Sequence, residues 1–219
     1  MTIISEVITL LRKEVLIEWR QKYAIGGILL YVLSTVFIVY FSFSNMDAKS
    51  WNTLFWIVLL FASVNAVTKS FVQENSQREL YYYSLSNPVS ILLSKIIYNT
   101  LLLLLISGLS YLSFSILVTN PVKNSGQFFL ALFLGSLGFS IAFTFISAIA
   151  GKAANSSTLM AVLSFPTIIP ILMTLLKISA NALGLMTDTG IWRDIGNLLA
   201  IDLIMLTLTF ILFPYLWRD

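Results

Sequence analysis

Few residues in this 219-residue sequence are of a type suited to chemistry, and they are unevenly placed. Asp202 falls inside a long apolar run, where an acid is costly and normally faces a partner or water. Lys177, near the end of the preceding apolar run, is its ion-pair partner by expected depth. A denser polar group comprises Glu74, Arg78 and Glu79, followed by Leu80, the three tyrosines 81–83, Leu85 and Pro88. Tyrosines bury wide, rigid area and keep a polar tip, so this mixture suits a protein contact. Pro166 and Pro170 stand four apart and share one helix face. Each lacks an N–H, which leaves the carbonyls of Val162 and Pro166 without helical partners. Ser164 and Thr167 are the nearby hydroxyls that could satisfy them. A kinked or broken helix at a moving interface is one reading of the pair, and a static kink the other.

The absences weigh as much. The sequence has no cysteine and no histidine. Disulfides, thiolate metal sites, imidazole general bases and imidazole haem ligation are therefore excluded within this chain. No G-x-x-x-x-G-K-[ST] loop occurs, so ATP is not bound by that route. No nucleophile–base pair or paired carboxylates mark a catalytic pocket. No enzyme activity, bound cofactor, metal or nucleic-acid partner is expected.

The elements that position these residues follow from composition. Hydrophobic residues make up 58% and charged residues 11%, with a mean hydropathy of +0.90. Soluble domains carry roughly 25% charged residues, so the chain reads as an all-α integral membrane protein. A span needs about 20 apolar residues to cross about 30 Å of hydrocarbon. Six stretches qualify: residues 23–43, 51–68, 91–118, 128–150, 158–178 and 197–217. Trp51, Trp56, Trp192, Tyr215 and Trp217 sit near their ends, as interfacial aromatics do. No cleavable leader precedes them, so the first span serves as the insertion signal.

Residues 1–22 carry Ile3, Val7, Leu11, Val15 and Trp19 at four-residue spacing, with charges elsewhere. That pattern predicts an amphipathic helix lying in the membrane interface. Within the fourth span, Ser136, Ser140, Thr144 and Ala148 repeat every four residues beside Gly135 and Gly138. Small residues at this spacing let helices approach closely, while a polar lining for a translocation path is the alternative. Residues 188–197 form the longest stretch on the far side and are expected to rest at the outer interface.

Lysine and arginine set the orientation. With the N-terminus inside, nine cations (Arg12, Lys13, Arg20, Lys22, Lys69, Arg78, Lys95, Lys152 and Arg218) lie on the cytoplasmic side and four (Lys49, Lys123, Lys177 and Arg193) opposite. The positive-inside bias puts both termini in the cytoplasm, and with them the loop 69–90. An amphipathic helix at about 72–83, a turn at "SNP" and re-entry at "VSILLSK" is its simplest form. No repeat or linker divides the chain, which reads as a single membrane domain.

The loop "QENSQRELYYYSLSNPVSILLSKII" and the proline pair in "LSFPTIIPILM" resemble the cytochrome c maturation protein B family, also called haem exporter protein B. The amphipathic N-terminal helix, six spans and "LSNP…ILLSK" loop look like a type-2 ABC exporter permease, and the resemblance covers nearly the whole chain. It implies a bacterial inner-membrane subunit that converts ATP-driven motion into helix movement for cytochrome c maturation. The implied partners are an ABC ATP-binding subunit docking on Glu74, Arg78, Glu79, Tyr82 and Pro88, a haem-handling membrane subunit, and a periplasmic haem chaperone. ATP would sit on the partner and haem would be handled by the complex. Pro166 and Pro170 would form a hinge, and Asp202 an intramembrane polar site. Two alternatives stand beside this reading: the same permease fold exporting a lipid, polysaccharide or drug, and a non-transporting scaffold or intramembrane enzyme.

Overall fold

Short polar side chains set where the apolar helices begin. In the computed structural model, which describes residues 3–20, 22–43, 45–67, 87–118, 120–152, 156–186 and 190–218, all regular structure is helical. The helices are α1 Ile3–Arg20, α2 Lys22–Ser42, α3 Ala48–Val67, α4 Pro88–Leu117, α5 Ser125–Gly151, α6 Ser156–Ala182 and α7 Ile191–Arg218. Asn87 caps α4 by accepting from the Val89 N–H at 3.0 Å, with Pro88 as the first helical residue. Proline suits that position because its missing N–H would be unpaired anyway. Asn124 caps α5 through the Gln127 N–H. Asp47 accepts from the Ser50 N–H at the start of α3. Hydrogen bonds from the Ser50 side chain and backbone hold the Asp47 carboxyl below the usual carboxylate range.

Five helices are long and apolar enough to cross a membrane: α3, α4, α5, and the stretches Thr158–Ala182 of α6 and Ile191–Tyr215 of α7. The chain is therefore a multi-pass membrane protein. In α2, Gly26–Ser42 is a shorter apolar helix. Its Ile28, Val32, Val36 and Val39 are buried, whereas Leu30, Leu33, Phe37, Ile38 and Phe41 face outward.

Helices α3 to α7 alternate in direction, while α1 runs alongside α4 in the same sense. At one end, the starts of α3 and α5 meet the ends of α4 and α6. Trp51 stacks on Phe55 at 5.3 Å, and Phe114 and Phe128 pack against both rings. Trp56 donates to the Ser179 hydroxyl at 2.8 Å. At the other end, Leu10 of α1 joins Ile91, Leu92 and Ile96 of α4, Ala148 of α5 and Phe213 of α7. The central element is α5: 78% of its apolar stretch is buried, against 28% in α6 and 17% in α7. Outward faces this apolar are what lipid contact requires.

The structure moves one expected boundary appreciably. Residues 191–197, expected to rest at the interface outside the span, form the first two turns of α7. This deepens Asp202, which becomes the twelfth residue of its helix. Residues 188 and 189 of that segment are outside the described set, as are residues 68–86.

Glycine 184 closes α6. With φ at +72° it adopts the left-handed conformation, its N–H bonds the Asn181 carbonyl, and the Leu185 N–H bonds the Ala180 carbonyl. This is a Schellman cap. The free carbonyl of Ala182 accepts from the Lys123 and Asn124 N–H groups at 3.1 and 2.9 Å, tying the α4–α5 connection to the end of α6. A Cβ on Gly184 would also lie 2.8 Å from the Lys123 side chain. Gly184→Ala is expected to cost about 1–2 kcal/mol, read as a lowered thermal unfolding midpoint in detergent.

Candidate functional site

Of the residues expected to dock a partner, Glu74, Arg78, Glu79 and Tyr82 lie outside the described residues, as does the expected helix at about 72–83. Pro88 is described. It opens α4 directly, so the helix begins at the proline, three residues before the expected start of the span at Ile91.

What α4 meets there is α1. A four-residue stripe on α1, Glu6–Leu10–Glu14–Glu18, follows the 3.6-residue period of one helix face. Its Leu10 is buried. Glu14 pairs with Lys95 of α4 at 3.6 Å and with Lys13 at 3.3 Å. Glu18 bonds the Tyr98 hydroxyl. Lys95 is 2% exposed, so its charge is held almost wholly within protein. The stripe expected to point into the interface is thus only part of what α1 presents. Ile3, Ile4, Ile8, Val15 and Leu16 are exposed, while Val7 and Leu11 lie half-buried toward the bundle. The helix is amphipathic in an unusual division: acids and Leu10 toward the protein, large aliphatics outward.

From α4 a polar seam continues into α5. Asn99 donates to the Thr144 hydroxyl at 2.8 Å, Ser140 to the Ile96 carbonyl at 2.8 Å, and Ser136 to Ser107 at 3.4 Å. The Ser136–Ser140–Thr144 stripe therefore packs against α4, as close helix approach predicts, and all three side chains are fully buried. Gly135, on another side of α5, admits Trp56 and Leu175, which a Cβ would meet at 3.0 Å.

Gly138 faces α7. An added Cβ would lie 2.5 Å from Asp202 Oδ1 and 3.3 Å from Oδ2. Asp202 is 3% exposed, and neither of its oxygens has a hydrogen-bond partner. The expected ion pair with Lys177 is not formed: Lys177 is exposed, and α7 turns Asp202 inward against α5 instead. Its depth is set by Gly138, the fourteenth of the 27 residues of α5.

Helix α6 runs unbroken through Pro166 and Pro170. Both prolines lie on an exposed face, beside Val162, Phe165 and Ile169. Ser164 and Thr167 do not serve the carbonyls the prolines free. Their hydroxyls bond the carbonyls of Met160 and Leu163, each four residues back. Among the described residues no group of three His, Cys, Asp or Glu could hold a metal ion.

Sequence reading missed the Glu14–Lys95 dock and the Gly138–Asp202 contact. Both had a visible trace: acids at four-residue spacing on α1, and a glycine at the mid-length of α5. Replacing Glu14 alone by Leu would take this carboxylate from the buried Lys95 and should cost about 3 kcal/mol. Lys95→Met with Glu14→Leu should recover most of that, measured as unfolding free energies in a double-mutant cycle. Gly138→Ala forces a methyl into the space of Asp202 and should destabilise by about 1–3 kcal/mol, seen as faster proteolysis of the detergent-solubilised protein.

No curated protein and no solved structure matches the chain significantly. The family model described as CcmB protein matches residues 5–215. The match runs from α1, through the α4–α5 seam and the Asp202 contact, to the last turns of α7. The chain belongs to the CcmB protein family, the cytochrome c maturation protein B family, and is a membrane component of the haem-export system for cytochrome c maturation.

Proposed function

We propose that this chain is the permease-type subunit of an ATP-driven complex in the bacterial inner membrane. A separate ABC subunit hydrolyses ATP and pushes on the loop 69–90, and the helices carry that movement across the bilayer. The observation that carries this reading is the linkage of α4. The loop leads straight into Pro88, and two turns later Lys95 is clamped to Glu14 of α1. The next turn joins α5 through Asn99 and Ile96. A push at Pro88 therefore meets a rigid three-helix unit, with no slack connection to absorb it.

In this reading α2 is a sixth span, both termini are cytoplasmic, and the loop carries Glu74, Arg78, Glu79 and Tyr82 to the motor. The missing motor motif supports a partner ATPase, since this chain has no phosphate-binding loop. Haem is substrate of the whole complex, shared with a haem-handling membrane subunit and a periplasmic haem chaperone. The lack of histidine argues that this subunit converts motion and leaves axial ligation of iron to others. Pro166 and Pro170 serve as the compliant point. Each removes one backbone hydrogen bond from an outward face, which lowers the cost of bending α6 there.

Glu79→Ala with Tyr82→Ala, keeping Pro88, should abolish co-purification of the ATP-binding subunit. It should also lower covalently bound haem in c-type cytochromes at least tenfold, while this chain itself stays in the membrane. Undiminished binding and haem attachment would remove the docking role from the loop.

A further inference from the structure

Asp202 is a buried acid for which transmission of motion offers no use. Both carboxylate oxygens are without partners, and the side chain is 3% exposed. Its surroundings are apolar. The α5 positions flanking Gly138 on that face are Leu134 and Ile141, and those flanking Asp202 on α7 are Leu198 and Met205. The hydroxyls of Ser136, Ser140 and Thr144 on α5 are spent on α4.

The charged and titratable groups of the elements packed against Asp202 are elsewhere. Helix α5 has none. In α6 there is only Lys177, which is exposed. In α4, Lys95 faces Glu14, Tyr98 faces Glu18, and Tyr111 accepts from Asn120. On α7 itself Arg193 and Asp194 lie about two turns nearer its start, and Tyr215 and Arg218 more than three turns further on. None reaches the carboxyl.

An ionised carboxylate so placed would pay tens of kcal/mol in an apolar medium, and such groups neutralise instead. A metal ion is not the neutraliser, since no second carboxylate or other strong ligand joins the site among the described residues. The remaining species is a proton. We propose that Asp202 is a proton-binding site, carried as the neutral acid at neutral pH and seated in the notch that Gly138 leaves in α5. The notch explains the glycine. A glycine in mid-helix costs roughly 0.5–1 kcal/mol relative to alanine, and here it admits a carboxyl that a Cβ would displace. Deprotonation breaks the O–H bond, sends the proton to water and leaves the electron pair on oxygen. The resulting charge has no partner in the notch and drives α7 away from α5. Proton binding at Asp202 does not depend on which motor docks on the chain.

Infrared difference spectra of the full-length protein in lipid nanodiscs test it. At pH 7 the wild type minus Asp202→Asn should show one carboxylic-acid carbonyl band that shifts in heavy water. Carboxylate bands alone, or an acid band that vanishes on adding sodium, would overturn the proposal. Should the Asn variant fail to fold, carbon-13 labelling of aspartate carboxyls in the wild type gives the same reading, because an acid band that fails to move is not aspartate. Thermal unfolding supplies a second readout. The native state would keep a proton that the unfolded chain releases, so the wild-type midpoint should fall as pH rises. Asp202→Asn should not share that fall, and parallel pH profiles would sink the idea.

Discussion

Inside hydrocarbon no water is available to satisfy a polar group, so each one must find protein, and this condition shapes the contact between α4 and α5. Asn99, Thr144, Ser140, Ser136 and Ser107 are all buried, and each is used. Small hydroxyl residues let the two helices approach closely, and the approach in turn brings the hydroxyls to their acceptors. With α4 and α5 held, other elements have fixed surfaces to pack on. Trp56 and Leu175 fill the space at Gly135, the aromatic cluster closes one end, and α1 is pinned at the other.

Much of this was legible in the sequence. Composition alone placed the chain in a membrane, and the helix positions followed apolar length within a few residues. The stripe Ser136–Ser140–Thr144 was readable because periodicity reports which residues share a face. Membership of the family rested on the loop and proline patterns, and the match to residues 5–215 agrees. Periodicity cannot tell which neighbour a face will meet. On α1 the aliphatic residues drew attention, yet the protein contact is made by Leu10 among acids, because Lys95 waits on α4. Asp202 was seen as a polar intruder, but its surroundings depended on a glycine in a helix made earlier in the chain. Ser164 and Thr167 were near the free carbonyls in sequence and still bond others, since a hydroxyl in a helix reaches its own i−4 carbonyl most easily.

Lys95 and Asp202, both buried in the bundle, illustrate opposite solutions to one problem. Lys95 meets a carboxylate recruited from a helix outside the span bundle. Asp202 has no such recruit and sits against bare backbone. One solution fastens a peripheral element to the core, while the other leaves the core sensitive to the state of a single side chain.

The Lys95–Glu14 pair also bears on how the protein is made. Helix α1 is synthesised before α4, carrying Glu14 and Glu18 ahead of Lys95 and Tyr98. Their partners arrive only with α4, after two other hydrophobic segments have been synthesised. Until then the exposed isoleucines of α1 can hold it at the lipid surface, waiting. When α4 enters, a lysine that would burden its insertion meets a carboxylate already in place. The chain thus carries its own chaperone for one costly residue, and the order of synthesis is part of the design.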